Sequence, residues 1–198
     1  NYSTGAFSST DGVSYVRTLV IGPDVSDFDI NGVFGSVNLT TVEVDPANKN
    51  FSEQDGVLFN RDITRIVYYP NGKIGDYTLP DTVVEIGAGV FSGKGNLSKI
   101  TIGSNITTIA EGAFMESSIT EVIFSKEASD TSLTIGKRAF YDCDKLTAVD
   151  LPARTVSIGG EAFANCSALT SFTVPEGVTS VGNAAFALNS RLTSVSLP

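Results

Sequence analysis

The amino-acid sequence predicts a β-rich solenoid, a coil of short similar turns in which no turn is stable without the next. Three observations carry that prediction. Phe91, Phe114, Phe140, Phe163 and Phe186 recur at intervals of 23, 26, 23 and 23 residues, each preceded by Val90, Ala113, Ala139, Ala162 or Ala185. The other half of the unit is as regular: Leu97-x-x-Ile100-x-Ile102 becomes Leu146-x-x-Val149-x-Leu151, then Leu169-x-x-Phe172-x-Val174, then Leu192-x-x-Val195-x-Leu197. Composition agrees, with 41% apolar and 18% charged residues against disorder, and 19 Gly and 7 Pro for frequent turns. A fixed period of this length is the signature of a repeat architecture.

The unit reads Leu-x-x-Ile-x-Leu-Pro-x-x-Val-x-x-Ile-Gly-x-x-Ala-Phe-x-x-Cys-x-x. Its alternating head makes a short strand with one buried face. Pro152, Pro175 and Pro198 end three of these strands at their boundary, where a missing N–H does no harm. Five residues before each Phe stands Ile86, Ile109, Ile135, Ile158 or Val181. Gly87, Gly136, Gly159 and Gly182 follow four of them, where the coil is expected to turn tightly. One unit buries too few apolar side chains to offset its chain entropy, so stacking on a neighbour is required.

Taken from the start, residues 1–15 are small and polar and are expected to be a flexible N-terminal segment, with a single solenoid over 16–198. The polar start without Met is what an exported chain with its leader removed, or a shortened chain, would show. No apolar run approaches the roughly 20 residues of a membrane span. Val16, Leu19 and Ile21 lead to Phe34 as a degenerate first unit, and Leu39, Val42 and Val44 make the next strand. Residues 45–79 exceed the period. There Asp55-Gly56 and Asn71-Gly72 mark turns, and Val57–Asn60 and 64–69 read as the strands of a hairpin. Phe59, Tyr68, Tyr69 and Tyr77 would either form an aromatic contact surface or pack onto the solenoid. After Phe114 the unit is one residue short, so Ile119, Val122 and Phe124 take the strand roles. A polar insert with Lys126, Glu127 and Asp130 then occupies 125–132, either a surface spacer or a binding loop.

These motifs resemble the BspA-like, or Treponema-type, leucine-rich repeat, and the likeness runs from about Val16 to Pro198. Asp55-Gly56-Val57-Leu58 … Tyr69-Pro70-Asn71-Gly72-Lys73 … Tyr77-x-Leu79-Pro80 is similar to an embellished repeat of its bacterial members. The resemblance implies a right-handed leucine-rich-repeat solenoid with a parallel sheet on the concave face. Short strands and single helical turns would lie opposite, around the Ala-Phe positions. It also implies a secreted or cell-surface protein, anchored by a segment outside this chain, that adheres to host proteins or other cells.

Chemistry is mostly excluded. The chain has no histidine, which removes Ser-His-Asp and Cys-His nucleophiles, His-bound zinc and the commonest general base. Acidic residues share no motif, no phosphate loop occurs, and no catalytic residue, metal or cofactor is expected. The net charge of −9 has no basic cluster to oppose it, which argues against nucleic acid. Cys143 and Cys166 take equivalent places in adjacent units. Parallel side chains about 4.7–4.9 Å apart exceed the reach of a bridge, so two buried free thiols are expected. Asp27-x-Asp29-x-Asn31-Gly32 opens like a calcium loop, but Asn38 stands where the bidentate Glu belongs, and a local turn accounts for it better. The sequons at Asn38, Asn96, Asn105 and Asn165 follow from turn Asn beside Ser/Thr-rich strands.

Binding is expected on the concave face, through the residues between the buried ones. These are Thr41 and Glu43, Lys99 and Thr101, Glu121 and Ile123, Ala148 and Asp150, Ser171 and Thr173, and Ser194 and Ser196. The face is small, hydroxyl-rich and mildly acidic, suited to an extended polypeptide or a glycan. The other reading is a structural spacer, or a self-assembly element pairing through the uncapped coil at 192–197.

Overall fold

The computed structural model describes residues 15–28, 38–126 and 130–198. The flexible segment expected at 1–15 therefore lies, Tyr15 apart, outside the described residues. So do Phe34, Glu127 and the Asp29, Asn31 and Gly32 of the calcium-like turn. The chain forms two compact units, Asn1–Ile74 and Gly75–Pro198.

In the first unit, β1 (Thr18–Ile21) pairs in parallel with β2 (Thr41–Val44), Leu19 opposite Val42. Three antiparallel strands follow: β3 (Phe51–Gln54), β4 (Val57–Asn60) and β5 (Arg65–Tyr68). The expected hairpin is β4 with β5. β3 lacks an apolar alternation to announce it, since Phe51 is its one apolar residue and Glu53 and Gln54 are exposed. Asp55 and Gly56 join β3 to β4 with φ of 53° and 73°, the two-residue turn whose twist matches its flanking strands. Ile21, Leu39, Val42, Phe51, Leu58 and Tyr68 form the core. Buried Asn48 pins it: Nδ2 donates to the Gly22 and Val25 carbonyls, and Oδ1 accepts from the Asn50 and Phe51 amides.

The rings at 59–77 are core, not surface. Phe59, Tyr68 and Tyr69 are at most 1% exposed, and Tyr77, in the second unit, is 6% exposed. They do not form a contact patch. A large ring gains more from leaving water against the apolar layer beneath the hairpin than from lying open. The same burial pushes the Tyr68 and Tyr69 phenols up to about 12.

The second unit is a β-solenoid whose strands alternate between two parallel sheets. The front strands are β6 (Gly75–Thr78), β8 (Leu97–Ile102), β10 (Glu121–Phe124), β12 (Ala148–Val149), β14 (Ser171–Thr173) and β16 (Ser194–Ser196). Facing them run β7 (Glu85–Ile86), β9 (Thr108–Ile109), β11 (Leu133–Ile135), β13 (Thr155–Ile158) and β15 (Ser180–Val181), each paired with the next. Period-two alternation sends Ile100, Ile102, Val122 and Phe124 inward and leaves Lys99 and Ile123 outward. Tyr77 pairs with Ile100, so the expected insert at 45–79 ends in an ordinary front strand, β6.

The spaced phenylalanines stack. Phe91, Phe114, Phe140 and Phe163 lie 4.8, 4.9 and 5.0 Å apart in sequence, with planes within 6° of parallel. The backbone around them explains the stack. Each Phe amide donates to the carbonyl of the Ala in the next coil, as Phe114 to Ala139 and Phe140 to Ala162. An α-helical turn would direct that amide back into its own coil, so the expected helical turns are instead tandem hydrogen-bonded turns. Two residues in each carry left-handed φ, such as Arg138 and Asp142, or Glu161 and Asn165. No helix occurs among the described residues.

A polar column runs beside the rings: Lys94, Ser117, Cys143 and Cys166, all buried, and half-buried Asn189, each three residues after its Phe. The Cys143 and Cys166 thiols are free and donate to the Phe114 and Phe140 carbonyls at 3.0 Å, and Asn189 Nδ2 donates to the Phe163 carbonyl at 2.9 Å. Three members of the column thus donate to the carbonyl of the stacked ring one coil back. The Cys143 contact and burial push the Cys166 thiol up. Burial pushes the Lys94 ammonium down to about 8.

The recurring glycines have a steric cause. A Cβ on Gly159 would stand 2.5 Å from the Lys137 amide nitrogen, and one on Gly136 would stand 2.7 Å from the Ala110 carbonyl carbon. Neither glycine has a left-handed φ, so it is the closeness of adjacent coils, not an unusual turn, that excludes a side chain.

Candidate functional site

The front sheet of the second unit is the candidate site. Its register aligns Lys99 with Glu121 and Ala148, and Thr78 with Thr101 and Ile123. Farther along, Ser171 pairs with Ser194 and Thr173 with Ser196. Asp150 follows β12 and is exposed. The ten residues expected to bind thus lie on or beside the front strands in two groups, one on the β6–β12 sheet and one on the β14–β16 pair. β12 is not hydrogen-bonded to β14. At that junction Phe172 takes the place filled by Ile100, Val122 and Val149 in the other coils. Its ring lies 4.8 Å from Phe163 and 4.7 Å from Phe186, which are themselves 5.8 Å apart. The Phe172 ring thus lies between two members of the stack, whose spacing is wider there than the 4.8–5.0 Å of the other coils. Thr41 and Glu43 belong to the first unit.

Part of the face is already engaged. Lys99 Nζ lies 2.8 Å from Glu121 Oε2, across neighbouring coils. The Glu121 hydrogen bond and charge, with the Asp76 charge adding, raise the Lys99 ammonium. Asp76, which sequence reasoning missed, was detectable through Tyr77-x-Leu79-Pro80, a copy of Val149-x-Leu151-Pro152 that places Asp76 one residue before a core position. The threonines entering each strand serve the fold: the hydroxyls of Thr120, Thr147 and Thr193 donate to the carbonyls of Ser98, Thr120 and Thr170 in the preceding coil at 3.0–3.1 Å. The free hydroxyls are therefore the outward set, chiefly Ser171, Thr173, Ser194 and Ser196, all exposed.

Beside the β10–β12 pair an open groove of about 650 Å³ runs along the strands. Ala148, level with Glu121 at the strand starts, Ile123 and Pro152 line it, Glu121 and Asp150 contribute carboxylates, and Lys126, Asp130 and Arg154 border it where the chain leaves β10. Arg154 secures that border. Its Nη1 donates to the Ile106 carbonyl at 2.5 Å and to the Thr131 carbonyl at 3.3 Å, and its own carbonyl accepts from the Leu133 amide. The insert at 125–132 thus supplies a wall of the groove through Ser125, Lys126 and Asp130, while 127–129 lie outside the described residues. Lys126 belongs to the polar insert that the sequence marks as a spacer or a binding loop, whereas Arg154 stands at no repeat position that periodicity marks as facing outward and was missed. Among the described residues no three Asp, Glu or Cys side chains gather as a metal would require.

The family model of the BspA type leucine-rich repeat region matches residues 61–193, in 6 copies. The chain belongs to this family. Solved structures share the fold. The pneumococcal vaccine antigen PcpA is 23% identical with a TM-score of 0.60, over 92% of this chain and 39% of that one. The leucine-rich repeat protein of T. pallidum is 23% identical with a TM-score of 0.60, over 78% and 71%. A leucine-rich cell surface protein of Faecalibacterium prausnitzii A2-165 is 19% identical with a TM-score of 0.59, over 92% and 42%. The BspA-type chain described here therefore spans well under half of the pneumococcal antigen. No curated protein matches it. The segments that exceed the 23-residue period are the three-stranded block at β3–β5 and the insert at 125–132, and the second of these borders the groove. No helix among the described residues is long and apolar enough to cross a membrane.

Proposed function

We propose that this BspA-type repeat chain is a non-catalytic recognition module of a secreted or cell-surface protein, binding a protein or glycan ligand through its front sheet. One observation carries the reading: the front face holds an ordered row of outward side chains that the core does not use. The inward positions and strand-entry threonines satisfy the fold by themselves. The outward row contains an exposed isoleucine, Ile123, beside a fixed ion pair, Lys99–Glu121. An exposed apolar side chain flanked by oriented charges is the composition of a contact centre with a polar rim. The cell-surface description of the F. prausnitzii relative and the family's bacterial members support the location. The absence of histidine and the spread of the carboxylates support a non-catalytic role.

The test is binding of the chain to immobilised extracellular-matrix proteins and glycans. Ile123→Asp and Thr173→Arg serve as front-face variants, and Ser157→Arg is placed on the opposite sheet. The expected result is at least one ligand whose binding falls with the front variants and survives Ser157→Arg. Binding that follows the opposite sheet would move the site, and a chain that retains nothing would be a spacer between other parts of a surface protein.

A further inference from the structure

The front ladder is interrupted between β12 and β14, and the interruption leaves backbone groups without partners. Elsewhere the threonine that enters a front strand donates twice to the coil before it. The amide and hydroxyl of Thr120 go to the Ser98 carbonyl, those of Thr147 to the Thr120 carbonyl, and those of Thr193 to the Thr170 carbonyl. Thr170 holds the same place in the repeat. Its amide and hydroxyl do not reach the Thr147 carbonyl, and neither donates to any other described residue. At the strand exits the Leu79 amide donates to the Thr101 carbonyl and the Val174 amide to the Ser196 carbonyl. The equivalent amide of Leu151 donates to no described residue, although Leu151 is only 6% exposed. A buried N–H is nearly always paired with protein or with water, so this seam calls for a polar partner from outside the fold.

Both flanks of the seam are closed. On one side Phe140 and Phe163 stack at 5.0 Å, the Asp142 amide donates to the Ala164 carbonyl, and Asn165 Nδ2 donates to Asp142 Oδ1 at 2.6 Å. On the other, a Cβ on Gly177 would stand 2.5 Å from the Ala153 carbonyl oxygen, and β13 pairs with β15. An inserted polypeptide strand would need about 4.7–4.9 Å to each neighbour, roughly twice the spacing of these flanks. Single oxygen atoms fit instead. The outward side chains beside the seam are small or hydrogen-bonding: Ala148 and Asp150 on one strand, Ser171 and Thr173 on the other, all exposed. A sugar hydroxyl donates and accepts through one oxygen, so it serves the Thr147 carbonyl and the Thr170 donors alike.

We propose that the seam between β12 and β14 is a glycan subsite. Hydroxyls of a saccharide hydrogen-bond the Thr170 amide and hydroxyl and the Leu151 amide, and Asp150, Ser171 and Thr173 hold neighbouring hydroxyls. The proposal rests on the recognition reading above and names the ligand class and the part of the front face that takes it. The closed flanks fix these donors before any ligand arrives, so little ordering is left for binding to supply. Asp150, on a chain of net charge −9, selects neutral sugars over anionic ones.

Residue-resolved amide exchange on the full chain gives a first reading. In the free protein the Leu151 and Thr170 amides should exchange at least about tenfold faster than those of Leu79, Thr120 and Thr147, their bonded counterparts. Equal protection would mean that the seam is closed, and would end the proposal. An array of immobilised neutral oligosaccharides gives the second reading. At least one should bind, and in solution it should slow exchange at both Leu151 and Thr170. Ser171→Arg, which covers the seam, should weaken that saccharide at least about tenfold, and Thr170→Val, which keeps the shape and removes one donor, about fivefold. Ser157→Arg on the opposite sheet should leave it unchanged. Matching circular dichroism and melting temperature would show that the variants are folded. An array on which nothing binds, a bound saccharide that leaves both amides exchanging as before, or protection of the two amides by a protein ligand instead would overturn the glycan subsite. A ligand lost with Ile123→Asp but indifferent to Ser171→Arg would overturn it too, while leaving front-face recognition standing.

Discussion

Removing one ring from the phenylalanine stack gives the most demanding test of how this solenoid is held. Phe140 is fully buried and lies parallel to Phe114 at 4.9 Å and to Phe163 at 5.0 Å. Phe140→Ala deletes the ring and leaves a cavity between two coils whose backbones are fixed by the Phe114–Ala139 and Phe140–Ala162 hydrogen bonds. Collapse into the cavity is therefore restricted, and the loss should reach about 3–5 kcal/mol. Phe140→Leu keeps much of the volume but forfeits both ring contacts, each about 0.5–1.5 kcal/mol, and should cost about 1–3 kcal/mol. Urea unfolding followed by circular dichroism reads both, with a lower slope for Phe140→Ala if the coils on either side separate into independent units. A double-mutant cycle decides the cause. Phe114→Ala with Phe140→Ala should show coupling of about 0.5–1.5 kcal/mol, whereas Phe91→Ala with Phe163→Ala, which share no contact, should add to within about 0.5 kcal/mol. Equal coupling in both cycles, or a loss below about 1 kcal/mol for Phe140→Ala, would refute stacking as the link between coils.

Three further outcomes follow from the packing. Gly159→Ala places a methyl 2.5 Å from the Lys137 amide nitrogen, so the coils must part, at about 1–3 kcal/mol by thermal melting; an unchanged melt would mean the coils slide apart freely. Asn48→Ala strands two carbonyls and two amides that it now satisfies and should cost at least about 2–3 kcal/mol in chemical denaturation, while Asn48→Asp keeps only the acceptor half and should recover part of it. Lys94 has a folded pKa of about 8 against an ordinary 10.5, so the unfolded chain binds more protons between those values. Its cost, up to about 3 kcal/mol, is fully present below pH 8 and is relieved as pH rises toward 10.5. Stability should climb over that window in the original chain and stay flatter in Lys94→Met; parallel pH profiles would exclude Lys94 as the source.

Much of this molecule was legible in the sequence because a repeat states each constraint several times. One Phe would say little, but five, each with Ala or Val before it and Ile or Val five residues back, specify a stacked interior and the alternation of every front strand. The outward columns Lys99–Glu121–Ala148 and Ser171–Ser194 followed from the same alternation, since a period of two leaves no other place for them. Tertiary structure decided what happens once the period fails. Whether Phe59, Tyr68 and Tyr69 are surface or core depends on the apolar layer beneath the hairpin, which is not local in the chain. The break in the front ladder between β12 and β14, and the meeting of Phe172 with two rings of the stack, appear only once the coils are assembled. The groove exists because the insert at 125–132 and Arg154, more than twenty residues farther on, meet across coils. Local spacing determines which way a side chain points; only the packed coil determines what it meets there, because each turn's neighbours are set by stacking and not by sequence order.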